Sequence, residues 1–259
     1  IDSSGLNAIT FKGVASRIDS NWLAHSCMTT DDCGTIHTWA GRYPNTGSAF
    51  SVIRHNIVRE AVGNSSGVKK YYPSYQGIYL DDGSHDIRVD SNVVIGNHAG
   101  IFLHNCQRDT VRGNLVYGNK WTQIYLQHDT LAGPVDMTGN VIQGNVLVSL
   151  PGQIASRTAI SRPQTAPLAT WSDNLECDDR IVDVGCSRDG TPLWRRSRLP
   201  ASDPGLGPET QRNLGFDSGS IGWTIWPSTA SLRTEASTGN PGHSLHLIVG
   251  VDSLARGAA

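Results

Sequence analysis

Apolar residues in the first 150 positions alternate with polar or aromatic ones instead of recurring at helical spacing. One pattern returns three times: Gly77-Ile78-Tyr79-Leu80-Asp81-Asp82, Gly100-Ile101-Phe102-Leu103-His104-Asn105 and Gln123-Ile124-Tyr125-Leu126-Gln127-His128. The isoleucines lie 23 residues apart both times (101 minus 78, 124 minus 101). Alternation predicts strands, and a period of this size predicts a solenoid. Ile78, Leu80, Ile101, Leu103, Ile124 and Leu126 are then expected to point inward and their neighbours outward.

Each of these strands is followed by a shorter β-branched run ending in asparagine. Ile87-Arg88-Val89-Asp90-Ser91-Asn92, Thr110-Val111-Arg112-Gly113-Asn114 and Asp136-Met137-Thr138-Gly139-Asn140 are aligned in this way, with earlier copies at Asn21 and Asn56. The asparagine spacings are 35, 36, 22 and 26, so some coils carry insertions. Asn97, Asn119 and Asn145 each follow five residues later. Such strands are too short to be joined by helices. A parallel β-helix, with coils stacked about 4.8 Å apart, accommodates them. Asparagine at the same turn of successive coils is expected to form a hydrogen-bonded ladder.

The expected fold is therefore all-β: a parallel β-helix over residues 1–150, an irregular tail or linker over 151–212 and a short β-rich segment over 213–259. The tail is rich in Pro, Ser, Arg and Asp and loses the periodicity. With 28 glycines, 38% hydrophobic and 17% charged residues in 259, the composition suits a turn-rich β protein. A net charge of −2 offers no basic stripe for nucleic acid, and no apolar run is long enough to span a bilayer. Five cysteines leave one unpaired if Cys27 bridges Cys33 and Cys177 bridges Cys186 in an oxidising compartment, with Cys106 free. A secreted or periplasmic monomer is expected.

The outward residues change from coil to coil, and the chemistry lies there. With Gly34-Thr35-Ile36-His37-Thr38-Trp39 as the preceding coil, one outward column is His37, Tyr79, Phe102, Tyr125. The next is Trp39, Asp81, His104, Gln127. Aromatic rings beside acids, amides and imidazoles suit a polysaccharide or oligosaccharide substrate. The insertion carrying Lys69, Lys70, Tyr71 and Tyr72 is expected to wall this groove, with Tyr72 among the substrate contacts. Two acid pairs, Asp31-Asp32 and Asp81-Asp82, flank it. Glycosidases need two carboxyls across the scissile bond, and Asp32, Asp81 and Asp82 are the candidate catalytic residues. His25 and His128 are weaker candidates. No Gly-x-Ser-x-Gly elbow, His-Glu-x-x-His pair or phosphate-cradling loop is present. No cofactor or metal is expected in this reading, although Asp81 and Asp82 also suit Ca²⁺.

Asp32-Cys33-Gly34-Thr35-Ile36-His37, Gly77-Ile78-Tyr79-Leu80-Asp81-Asp82-Gly83-Ser84 and Gly100-Ile101-Phe102-Leu103-His104 resemble bacterial right-handed parallel β-helix proteins active on carbohydrates, most of all the β-helix glycoside hydrolases. The likeness covers about residues 5–148. It implies two aspartates on neighbouring coils as acid and nucleophile or base, placed here at Asp32 and at Asp81 or Asp82. Asp31-Asp32-Cys33 is also similar to the Asp-Asp-Cys of polygalacturonases, but that family's other motifs do not follow. Asn213-Leu214-Gly215-Phe216-Asp217, Gly222-Trp223-Thr224 and Ser244-Leu245-His246-Leu247 resemble part of a jelly-roll carbohydrate-binding module. The expected function is polysaccharide hydrolysis. The alternatives are a Ca²⁺-dependent polysaccharide lyase acting on uronates and a non-catalytic glycan-binding β-helix.

Overall fold

The computed structural model describes residues 1–41, 48–64, 66, 74–129, 136–179, 183–188, 191–197, 230–236 and 243–249. The chain divides into two units, Ile1–Arg198 and Leu199–Ala259. Within the first, every coil contributes one strand to each of three parallel sheets. The first sheet holds Ile9–Thr10, Cys33–Thr38, Tyr75–Leu80, Ala99–His104, Thr122–His128 and Ile154–Ile160. The second begins at Arg17–Asp19 and ends at Ala169–Ser172. The third runs from Trp22–Ala24 to Leu175–Asp179 and is extended by the antiparallel strands Asp183–Arg188 and Thr191–Ser197. This is a parallel β-helix. In the second unit, Ala230–Ala236 pairs antiparallel with His243–Val249. The expected strands at 213–224 lie outside the described residues.

The alternation sets the core. Ile36, Ile78, Ile101 and Ile124 are register partners on successive coils, and all are fully buried. Leu80, Leu103 and Leu126 form the neighbouring inward column. Burial of each such side chain stabilises by about 2 kcal/mol. The glycine before the isoleucine has a steric reason. A Cβ on Gly77 would lie 2.5 Å from Val94 Cγ1 and 2.6 Å from the Gly100 carbonyl oxygen. On Gly100 it would lie 2.4 Å from Val116 Cγ1.

The asparagine ladder is continuous. Side-chain amides donate from Asn21 to Asn56, Asn92, Asn114, Asn145 and Asn174 in turn, at 2.9 to 3.0 Å. The residues just before them (Ser20, His55, Ser91, Gly113, Gly144, Asp173) all have positive φ, which turns each coil into the third sheet. One alignment needs correction. Asn140 does not follow Asn114 in the ladder; it accepts the Asp109 amide at 3.0 Å, and Asn145 takes the ladder position 31 residues after Asn114. Gly139-Asn140 imitates Gly113-Asn114 locally, but Gly144-Asn145 carries the apolar strand that fits the third sheet. Asn145 accordingly leaves the Asn97–Asn119 series, which is completed by Gln123.

Asn114→Ala is expected to cost about 3 kcal/mol. It strands the Asn92 amide groups and the Val89 carbonyl, all buried. Asn21→Ala, at the partly exposed end of the ladder, should cost clearly less. Urea unfolding of the two variants checks this; equal losses would contradict it.

The solenoid does not end near residue 150. One more coil, Ile154–Ile160, Ala169–Ser172 and Leu175–Asp179, stacks in register on the one before. Its inward positions opposite Ile124 and Leu126 are Ser156 and Thr158. Nothing among the described residues covers the far side of Ile154–Ile160, most of whose residues are exposed. An uncovered coil has no need of aliphatic side chains, so the periodicity fades although the fold continues.

Candidate functional site

The site is built at the C-terminal end of the first-sheet strands. Tyr75–Leu80 delivers Asp81 and Asp82, and Ala99–His104 delivers His104 and then Asn105. Register places His37, Tyr79, Phe102 and Tyr125 in one column. His104 pairs with Gln127 in the next column, and Trp39 and Asp81 extend it downward by the same step.

The two columns serve different ends. Tyr79 stacks on Phe102 at 4.6 Å between centroids, and Phe102 stacks on Tyr125 at 4.5 Å. All three are buried. Their faces contact one another, so these rings act as a ladder beneath the site and offer no open stacking surface. Lys12 Nζ lies 4.3 Å from the ring centre of Trp39, which is 43% exposed beside the acids. The turn after it is fixed to the acid loop, because the Ala40 and Gly41 amides both donate to the Asp82 carbonyl.

The polar column converges on Asp81. His104 Nδ1 lies 2.8 Å from Asp81 Oδ1, and His37 Nε2 lies 3.5 Å from Asp81 Oδ2. The His37 tautomer follows from Asn7. The Asn7 oxygen accepts the Gly34 amide, so its Nδ2 must donate to His37 Nδ1 at 3.2 Å. The ring proton is thereby assigned to Nε2, facing Asp81. On the other side of His104, Nε2 lies 3.0 Å from Asp129 Oδ2. A neutral imidazole has one N–H, so carboxylates at both nitrogens select the doubly protonated ring. Asn105 Nδ2 donates to Asp82 Oδ1 at 2.7 Å and to Asp129 Oδ1 at 2.8 Å. Its oxygen accepts the Asp129 amide, which fixes the side chain. Gln127 Nε2 donates to Asp129, and the Tyr125 hydroxyl donates to Gln127.

Ionisation follows these contacts. Burial alone would raise Asp81, but the His104 hydrogen bond and the nearby His37 imidazole outweigh it and hold the carboxyl well below the usual carboxylate range. Asp82 is raised, first by burial and then by the charges of Asp81 and Asp129, against the Asn105 and His104 contacts. Burial opposes charge on His104, yet Asp81 and Asp129 push it up to about 9. The Tyr79 phenol is raised by burial and by Asp81 and Asp32.

Asp32 stands elsewhere. It precedes Cys33–Thr38, whereas Asp81 and Asp82 follow Tyr75–Leu80, and the two strands pair in register. The charge of Asp32 nevertheless reaches the Tyr79 phenol, which also faces Asp81. The sequence-adjacent Asp81 and Asp82 are brought together at His104. Asp31 is buried, and its Oδ1 accepts the Ser74 amide at 2.6 Å, a structural contact between coils. Cys27 and Cys33 form the expected disulfide, which closes the loop carrying both acids. Cys106 is free and buried. Cys177 is disulfide-bonded and lies opposite Cys186 in the strand pairing. Tyr72, Lys69 and Lys70 lie outside the described residues. His25 bridges Asp2 and Glu60 away from the site. His128 is buried against the Asn105 oxygen.

Asn105 and Asp129 were missed in the sequence. Asn105 occupies the repeat position of Asp82, a signal that was readable. Asp129 lies one residue beyond a strand that is one residue longer than the one before it, so the repeat does not point to it.

The family model described as periplasmic copper-binding protein (NosD) matches residues 29–161, which is 133 of 259 residues (161 minus 29 plus 1). No curated protein and no solved structure gives a significant match. The matched span contains the coils that carry Asp81, Asp82, His104 and Asp129, and a disulfide suits the oxidising periplasm. This secreted or periplasmic parallel β-helix chain belongs to the NosD family of periplasmic copper-binding proteins.

Proposed function

We propose that the chain is a glycoside hydrolase whose reaction centre is the Asp81–Asp82 pair. The observation that carries this reading is the unequal setting of two adjacent carboxyls. Asp81 faces two imidazoles, while Asp82 is held through one oxygen by the Asn105 amide. Pairs whose surroundings drive their acidities apart divide into an ionised partner and a proton donor. Asp81 is the ionised partner. Asp82 is the proton donor in this reading; with Oδ1 held by Asn105, Oδ2 is the oxygen that would donate.

A ligand oxygen of Asp81 and one of Asp82 lie within 4.8 Å of each other. Retaining glycosidases hold their carboxyls about 5 to 5.5 Å apart, and inverting ones about 6.5 to 9.5 Å. The short spacing favours retention. Asp81 attacks the anomeric carbon as the glycosidic C–O bond breaks, and the Asp82 proton passes to the leaving oxygen. Water then attacks the same carbon, gives its proton to Asp82 and releases Asp81. His104 and His37 stabilise the Asp81 carboxylate as its charge returns. Trp39 offers the exposed aromatic surface for a sugar ring. Proton NMR of freshly released sugar tests the stereochemistry: the retained anomer is expected first, and the inverted anomer would contradict this assignment.

A second reading rests on a specific cluster. Asp81, Asp82 and His104 each offer one ligand atom, all within 4.8 Å of one another. One imidazole and two carboxylates form a nitrogen–oxygen donor set that fits Cu(II), whereas Cu(I) prefers sulfur ligands. Cys27 and Cys33 are tied in their disulfide, Cys106 and Met137 are buried in the core, and Met28 is exposed on the Cys27–Cys33 loop, outside the cluster. With the Nδ1 proton of His104 given up, the three residues would fit the divalent form of the family's metal. When bound, the ion would act as a Lewis acid at this point of the groove. After chelation, Cu²⁺ titration followed by electron paramagnetic resonance should show one site with nitrogen coupling, lost in His104→Ala. An unchanged spectrum in His104→Ala would contradict binding there.

A further inference from the structure

At the N-terminal end of the same strands, a second column runs through Tyr75, His98 and Trp121. The His98 amide donates to the Tyr75 carbonyl at 3.0 Å, and the Trp121 amide to the His98 carbonyl at 2.9 Å, so the three stand on successive coils. Tyr75 and His98 ring centroids are 5.3 Å apart, and His98 and Trp121 stack at 5.1 Å. Trp121 meets Tyr125 edge-on at 4.8 Å, which joins this column to the aromatic ladder below the acids.

Two exposed cations rest on the wall. Arg157 lies 4.6 Å from the Trp121 ring and is the register partner of Tyr125. Lys120 lies 5.1 Å from the centre of the Tyr75 ring, and its Nζ donates to the Tyr75 hydroxyl at 3.4 Å. Three arginines of the second sheet are neutralised: Arg54 by Asp19, and Arg88 and Arg112 by Asp90. Lys120 and Arg157 have no carboxylate partner among the described residues. A guanidinium stacked on indole keeps its N–H edge free for an anion. Arg157 stands two coils and two strand positions from the level of His104, about 12 Å at ordinary strand spacings. An oligosaccharide seated on the acids extends that far.

We propose that Lys120 and Arg157, carried on Tyr75 and Trp121, form a subsite for a negatively charged sugar, so that the substrate is an acidic glycan. The shared ligand chemistry is an anionic oxygen group, from either a uronate carboxylate or a sulfate ester. This inference names the substrate of the hydrolase reading and rests on it for the position of the reacting bond, but the subsite is measurable without turnover.

The test uses the full chain bearing Asp82→Asn to prevent hydrolysis. Calorimetry compares three probes of matched length: oligogalacturonate, a sulfated galactan oligosaccharide and a neutral galacto-oligosaccharide. At least one acidic probe is expected to bind about tenfold more tightly than the neutral one, the effect of one charge-assisted contact. Which acidic probe does so separates carboxylate from sulfate. Adding Lys120→Ala and Arg157→Ala should remove the preference, while Arg157→Lys should keep part of it. Equal or tighter neutral binding, a preference that survives the double substitution, or binding of no probe would overturn the proposal. Acidic binding without hydrolysis by the wild type would count against the hydrolase reading alone. Cleavage of neutral glycans alone would count against this subsite alone.

Discussion

Asp82→Asn is expected to lower kcat on a hydrolysed glycan by about a thousandfold, within the range that a positioned general acid contributes. The amide keeps the size and the Asn105 contact but has no proton to give the leaving oxygen. Asp81→Asn should fall at least as far, because it removes the carboxylate that meets the anomeric carbon and leaves doubly protonated His104 facing an amide. Asp32→Asn should fall less, because Asp32 opens its strand whereas the pair closes one. Steady-state kinetics on the three variants, with circular dichroism to confirm folding, makes the comparison. Equal losses at Asp32 and Asp82 would restore the pairing that the sequence suggested and contradict the one the structure brings together. A leaving group that needs no protonation, such as a dinitrophenolate, should rescue Asp82→Asn and not Asp81→Asn.

The second large effect lies in the core. Asp109 is fully buried; its Oδ1 accepts the Ile87 amide at 2.8 Å, and Oδ2 finds no N–H or O–H donor. Burial pushes its carboxyl up to about 7, against hydrogen bonds from the Ile87 amide and the Cys106 thiol. The folded state thus holds this proton more tightly than the unfolded chain, whose ordinary value is 3.8. Below pH 4 both states are protonated and nothing is lost. As pH rises from 4 to 7 the unfolded state ionises first and stability falls; above 7 the loss levels off. About three pKa units correspond to at most about 4 kcal/mol. Asp109→Asn removes the ionisation and places an amide where the next coil already has Asn140. Its stability advantage over wild type, measured by urea unfolding, should be small at pH 4 and grow to several kcal/mol by pH 8. An advantage that does not change with pH would contradict the buried-acid account. Carboxyls with lowered values, such as Asp81 and Asp86, act in the opposite sense, so the difference between variant and wild type is the quantity to read.

Much of this fold is local and was therefore legible. The Ile–x–Leu alternation specifies which side chains enter the core, and a one-residue slip would expose all of them. The outward columns followed from it, as did the asparagine ladder. Asn140 was misplaced because Gly139-Asn140 copies a turn dipeptide, while strand pairing depends on the apolar run that follows. The last coil was hidden because Ser156 and Thr158 occupy inward positions with no coil above them among the described residues. At the site, Asp81, His104, His37 and Trp39 were visible as outward departures from the repeat. The burial of Tyr79, Phe102 and Tyr125 was not, because alternation gives the face of a side chain and not what its neighbours cover. Asp32 looked equivalent to Asp82 as one of two acid pairs. One pair opens a strand and the other closes one, a distinction that only register makes plain.

The most direct measurement is release of reducing ends from a panel of acidic and neutral polysaccharides by the chelator-treated wild-type protein, beside Asp82→Asn under the same conditions. The account predicts release by the wild type that persists without metal and is lost in Asp82→Asn. No release from any glycan, or equal release by the two proteins, would contradict it.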